Sequence, residues 1–243
     1  MNTKVLKISA GMAALLLFVS ACTLFPTRGS GHLISETREV SGFDAVVFSG
    51  TGEVEIIQDG TESITIETDD DVMEFVETGI RSGTLYVGLE FNGAPSILPT
   101  KMRVTLHVIT LTGVTASGAW DVRAASLETS KLEALISGTG GISIDLLTAE
   151  ELVAEVSGSG RMDVAGEVGL QRFSISGSGQ YHAGDLLSET AAVTISGSGE
   201  ATLWVTGSLD VRISGAGRVE YYGQPMISFD ESGSGTIKSL GDK

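Results

Sequence analysis

The chain has 243 residues, 42% of them apolar, with 31 acidic residues against 15 basic ones and a formal net charge of −16. So acidic a surface repels polyanions and lacks the basic stripe that phosphate-backbone binding requires, which argues against nucleic acid as a partner. The abundance of Val, Ile and Leu argues against disorder, and a single cysteine excludes an intramolecular disulfide framework.

Residues 1–21 carry Lys4 and Lys7, then an apolar run from Met12 to Val19, then small residues, which is the order of a secretory signal. The run is too short to remain in a bilayer as a spanning helix. Val19-Ser20-Ala21-Cys22 resembles the bacterial lipobox, so Cys22 is the expected lipidation site and the membrane an expected partner through that lipid anchor. The signal and lipobox make an extracytoplasmic location the expectation, at the cell surface or in the periplasm; Thr23 is not an aspartate and gives no reason for inner-membrane retention. Loss of the signal leaves 13 basic residues against 31 acidic, a formal charge of −18. Residues 22–32 read as a flexible tether: Thr23–Gly31, with Pro26, Gly29 and Gly31, shows no strand or helix period and extends at most about 30 Å at ~3.4 Å per residue.

Residues 33–116 read as a β-rich start. Val54–Ile57 and Ile64–Ile66 flank Asp59-Gly60, a hairpin signal; Asp69–Glu77 fits a short helical turn; Leu85–Phe91 and Met102–Ile109 are further strands. An end cover is the expected role, since an open solenoid end templates edge pairing.

From there a Ser-Gly-small-Gly phrase recurs. Its serines are Ser49, Ser117, Ser137, Ser157, Ser176, Ser196, Ser214 and Ser232, spaced by 20, 20, 19, 20, 18 and 18 residues from Ser117 onward. The fifth position after each serine is apolar (Val54, Val122, Ile142, Met162, Tyr181, Ala201, Val219, Ile237), and the sixth is polar (Glu55, Arg123, Ser143, Asp163, His182, Thr202, Glu220, Lys238). That alternation is a strand with one buried face. A second apolar-alternating strand leads into each phrase through Ile136, Val156, Ile175, Ile195 and Ile213. Units this short cannot hold the helical crossover that parallel strands usually need. Residues 117–243 are therefore expected to wind as an all-β, right-handed single-stranded parallel β-helix (solenoid) of about seven 18–20-residue coils.

The corner glycines follow from that winding. A corner needs positive φ and close approach of stacked backbones, which assigns a structural role to Gly138 and Gly140, Gly158 and Gly160, Gly177 and Gly179, Gly197 and Gly199, Gly215 and Gly217, and Gly233 and Gly235. The serines are expected to form a ladder of hydroxyl hydrogen bonds. Trp120 replaces the second glycine of its phrase, which predicts a different corner there. Tyr221, Tyr222, Pro225 and Phe229 depart from the repeat and are expected to cap the far end.

The lipobox, the stretch Val40-Ser41-Gly42-Phe43-Asp44-Ala45-Val46, the first phrase at Ser49–Val54 and the later Ser-Gly-Ser-Gly run together resemble the bacterial "putative auto-transporter adhesin, head GIN domain" family over Ile34–Leu240. The resemblance implies an extracytoplasmic β-helical protein, often a lipoprotein, and brings no catalytic or ligand residues with it.

Few residues suggest chemistry. Asp163 and His182 fall in one outward column of adjacent coils, near Arg161, and form a candidate surface pair able to act as acid and base; a solvated polar face is the simpler account. Trp120, Trp204, Tyr181, Tyr221 and Tyr222 are candidates to stack on sugars or to fill the coil. The acids do not recur at the offsets of calcium-binding solenoid repeats, and His32 and His107 are isolated, so no metal or cofactor is implied. The expected function is a non-enzymatic envelope lipoprotein presenting a binding or adhesion face to an envelope protein or glycan. Alternatives are a carbohydrate-active β-helix enzyme and a partner-bound accessory lipoprotein.

Overall fold

The computed structural model describes residues 27–92 and 96–243; the signal segment and Cys22 lie outside the described residues. Thr27–Arg28 (β1), Leu33–Arg38 (β2), Ala45–Gln58 (β3) and Ser63–Asp69 (β4) precede a single helical turn, Asp70–Met73 (α1). Val76–Arg81 (β5), Thr84–Leu89 (β6), Ile97–Leu98 (β7) and Met102–Val108 (β8) complete the amino-terminal part. The repeats are Gly113–Ala124 (β9), Leu127–Gly138 (β10), Gly141–Gly158 (β11), Arg161–Gly177 (β12), Gln180–Gly197 (β13), Glu200–Gly215 (β14), Arg218–Tyr222 (β15), Met226–Gly233 (β16) and Thr236–Gly241 (β17).

The repeats form a β-solenoid of about six turns. Seven corner phrases from Ser117 to Ser232 delimit six complete turns, which accounts for the difference from the expected seven. Every neighbouring pair is parallel, and the phrases lie in register: Ser117 over Ser137, then Ser157, Ser176, Ser196, Ser214 and Ser232. Strand structure also runs through most of the expected eight-residue return, so that almost the whole coil is hydrogen-bonded to the next. The fifth-position column is dry from Val54 to Val219, with Ile142 1% exposed and Met162 and Tyr181 fully buried, and opens only at the terminal Ile237. Burial of each such side chain contributes about 1.5–3 kcal/mol, and a one-residue slip would turn the whole column outward.

Differences in repeat length are absorbed away from the phrase. The register shifts fall between Ile144 and Leu147, between Asp163 and Ala165, between Ala183 and Leu187, between Ser188 and Thr190 and between Tyr221 and Tyr222, none of them within the corner phrase. The corner stays regular while a bulge elsewhere takes up the extra residues.

At the corner the two glycines serve different needs. Gly177 has φ +124°, and a Cβ there would lie 2.5 Å from the Gly158 carbonyl oxygen. Gly199 is needed for side-chain room, since its Cβ would lie 2.7 Å from two carbons of Ile175 in the coil beneath. The expected serine hydroxyl ladder is absent: Ser157, Ser176 and Ser196 are exposed, and among the described residues no hydrogen bond joins them. Backbone groups close the corner instead. The Ser178 amide donates to the Gly158 carbonyl at 2.9 Å, and the Gln180 amide to the Gly160 carbonyl at 3.0 Å. The small column supplies the first of these amides and the residue after the second glycine the other, so the corner closes without the serine hydroxyls.

Ser49 stacks directly on Ser117 although the two are 68 positions apart, with β3 and β9 paired from Ala45↔Gly113 to Ile56↔Ala124. Both strands run unbroken through their corners, where Trp120, 1% exposed, packs 5.4 Å from Phe48. The intervening residues return to cover β3, β6 along its first half and β8 along its second. The expected hairpin across Asp59-Gly60 does not form. β8 inserts between β3 and β4, burying Val104 and Leu106 completely, and β4 pairs antiparallel with β8 and β2.

The stretch expected to be a free tether is docked from Thr27 onward. β1 pairs with β7, and the carboxylate of Asp69 accepts from the Gly31 amide at 2.7 Å and from the Thr100 amide and hydroxyl at 2.6 Å. At the far end Phe229 does not close the stack but continues it in register over Val211, 40% exposed where Val211 is fully buried. Glu231, exposed, takes the column place of Ile213, and a charge there disfavours further strand pairing at the open edge.

Candidate functional site

The outward sixth-position column forms one continuous line on the first face of the solenoid. Glu55, Arg123, Ser143, Asp163, His182, Thr202, Glu220 and Lys238 are aligned through successive strand pairings. Parallel pairing projects one such side chain per coil, about 4.8 Å apart. Two places along before it, Asp121, Arg161 and Gln180 belong to a second outward column, so acids and bases alternate across the face.

The candidate pair meets there. His182 Nδ1 lies 3.0 Å from Asp163 Oδ1, and Arg161 Nε donates to both Asp163 oxygens at 3.0 and 3.2 Å. Arg161 also lies 2.8 Å from His182 Nδ1. All three are substantially accessible, with 41% of the Asp163 side chain and 55% of that of Arg161 exposed. The carboxylate is thus engaged by two neighbours in water, an arrangement that contributes about 0–1 kcal/mol. Asp163 and His182 line an open recess of about 650 Å³ that extends past Asp145, Gly184 and Asp185 to Tyr222 and Lys243.

The aromatic candidates divide. Trp120 and Tyr181 are interior; Tyr181 stacks on Phe173 at 3.9 Å, and burial pushes its phenol pKa up. Trp204 and Tyr222 remain half-buried, as Cα partners of adjacent coils. His32 and His107 are each paired with an acid, Asp70 at 3.4 Å and Asp59 at 2.7 Å. Among the described residues no group of three or more His, Cys, Asp or Glu is arranged to hold a metal ion, and no helix is long and apolar enough to cross a membrane.

Sequence columns could not reveal two features. Gln171, in the inner column of Leu132, Leu152 and Leu209, is fully buried and donates to Ser188 Oγ at 2.7 Å. Lys243 reaches the rim of the recess, donating to the Gly184 carbonyl and the Asp185 carboxylate from 58 residues or more along the chain.

Residues 42–225 match the family described as "Putative auto-transporter adhesin, head GIN domain". A crystal structure of a putative adhesin from Bacteroides fragilis is similar at TM-score 0.81 and 25% identity, covering 88% of this chain and 99% of its own. A putative lipid binding protein from Parabacteroides distasonis shares the fold at TM-score 0.76 and 22% identity, with 88% and 99% covered. A putative adhesin from Parabacteroides merdae does so at 0.69 and 22%, with 88% and 98% covered. A comparison with curated proteins finds no match.

Proposed function

The chain belongs to the auto-transporter adhesin, head GIN domain family, and we propose on that footing that it is a non-enzymatic adhesion or binding scaffold of the cell envelope. Lipidation at Cys22 would hold it to an extracytoplasmic membrane, and the rigid solenoid would present its first face to an envelope glycan or protein. One observation carries this reading: the outward column from Glu55 to Lys238 is uninterrupted through every coil. Side chains at fixed intervals of about 4.8 Å suit an extended repetitive ligand better than a small substrate, because each coil adds one contact to a preorganised row.

The 3.0 Å contact of Asp163 with His182 favours a second reading, a carbohydrate-active β-helix enzyme. Arg161 weighs against it, since it engages the carboxylate that a general base would need free.

Arrays of envelope glycans and envelope proteins from the source bacterium, probed with the mature chain, test the reading. Arg123→Ala and Arg161→Ala together are expected to weaken capture at least about tenfold, as loss of two charged contacts does. Asp163→Asn with His182→Ala should leave every glycan in the array chemically unchanged relative to the parent protein. Cleavage by the parent that this double variant abolishes would establish the enzyme instead. Capture unaffected by the arginine substitutions would remove this face from the account.

A further inference from the structure

The recess at Asp185 is built by a bulge. Ala183 pairs with Leu203 and Leu187 with Trp204, so Gly184, Asp185 and Leu186 have no partner in β14, although Asp185 and Leu186 still pair with Ala165 and Gly166 of the preceding coil. The Gly184 carbonyl accepts instead from the Lys243 ammonium. Gly184 also makes room: a Cβ there would lie 3.4 Å from Cε2 of Tyr222 and 3.2 Å from Cγ2 of Thr202. Trp204 and Tyr222, Cα partners in adjacent coils, bring two rings to one place.

The ammonium of Lys243 sits among these groups. It lies 5.3 Å from the Trp204 ring centre and 5.2 Å from that of Tyr222, and it donates to the Gly184 carbonyl and the Asp185 carboxylate. Its side chain is 31% exposed. Gln224 holds the preceding residue, Asp242, at 3.0 and 3.1 Å, which aims Lys243 at the recess. Two aromatic faces, a carbonyl and a carboxylate around one ammonium are the components by which proteins recognise alkylammonium ligands. Asp145 and Asp163 line the same recess and extend its preference for cations.

We propose that Trp204, Tyr222, Asp185 and the Gly184 carbonyl form a binding site for an alkylammonium group, and that Lys243 occupies it in cis as a displaceable internal competitor. An external amine gains the same contacts once Lys243 swings out, and the recess of about 650 Å³ beside the cage accommodates the body that carries the amine. The site adjoins the outward ladder, whose Asp163, His182 and Thr202 line the same recess, but the adhesion reading does not depend on it.

The chain has two tryptophans, and Trp120 is 1% exposed, so a change in fluorescence on adding ligand reports Trp204. Lys243→Ala, with its fold checked by circular dichroism, is titrated with ethanolamine, with tetramethylammonium and with vesicles of phosphatidylethanolamine. Saturable change is expected with at least one probe, at a concentration about tenfold or more below that needed with the parent chain. Saturation by ethanolamine alone assigns free primary amines; saturation by the vesicles as well assigns the lipid headgroup; saturation by tetramethylammonium shows that the rings dominate. Adding Asp185→Asn to Lys243→Ala should weaken binding about tenfold or more. No saturable response in Lys243→Ala, or a response indifferent to Asp185→Asn, overturns the proposal.

Discussion

The phenol of Tyr181 donates to the side-chain carbonyl of Gln171 at 3.0 Å inside the solenoid, where both residues are fully buried. Gln171 passes the chain of hydrogen bonds to Ser188, whose hydroxyl donates to the Trp204 carbonyl at 3.1 Å. Three coils are thereby joined by side chains in an otherwise apolar interior. Tyr181→Phe is expected to destabilise the fold by about 1–3 kcal/mol, because it leaves the Gln171 oxygen without a donor. Tyr181→Phe with Gln171→Leu should cost less than the sum of the single changes, since leucine already occupies this column at Leu152 and Leu209. Urea denaturation of the two single variants and the double variant measures the coupling.

The two corner glycines should respond differently to repair. Gly199→Ala places a methyl against Ile175 and is expected to cost about 1–3 kcal/mol, much of it recovered when Ile175 is shortened to Ala in the same chain. Gly177→Ala meets the Gly158 backbone at a left-handed φ, so no side-chain change should rescue it. Thermal denaturation of the four chains distinguishes the two causes.

Asp69 fastens the amino-terminal segment. Burial alone would raise its pKa, but the Thr100 hydroxyl and the amides of Thr100 and Gly31 together outweigh burial and hold it below its ordinary value near 3.8. A lowered folded pKa contributes stability that is present above the ordinary value and is lost as pH falls through the folded one. Hydrogen exchange at residues 27–31, taken relative to the intrinsic amide rate at each pH, should therefore accelerate as the pH drops below about 4. Asp69→Asn should accelerate it already at pH 7, at a cost of about 1.5–3 kcal/mol, and remove most of the acid sensitivity there.

The surface triad should matter little to folding. Asp163→Asn and His182→Ala, alone or together, are expected to change stability by less than about 1 kcal/mol, because both groups remain in contact with water. A larger loss by chemical denaturation would mean that the first face is held together by these contacts.

The repeat was legible because each residue column obeys one constraint. Ile136, Val156 and Ile175 are interchangeable in the same dry position, and Gly158 and Gly177 share one backbone conformation. Positions that depend on departures from the repeat were not legible. The stacking of Ser49 on Ser117 is hidden by an excursion whose β8 strand displaces the local hairpin at Asp59-Gly60. The Gly184–Asp185 bulge falls where coil length varies, so no column predicts which ring or ammonium it meets. The meeting of Asp163 and His182 was legible, since in-register pairing makes same-column residues neighbours.

The account depends most on one residue column advancing by one strand spacing per coil, which spin-label distances measure directly. With Cys22 replaced by serine, labels at Ser137→Cys and Ser214→Cys span four coils, and those at Ser137→Cys and Ser232→Cys span five. Separations of about 19 and 24 Å, rising by about 4.8 Å per coil, are the predicted result. Separations that fail to increase with the number of coils would contradict the stacked solenoid and the continuous face it carries.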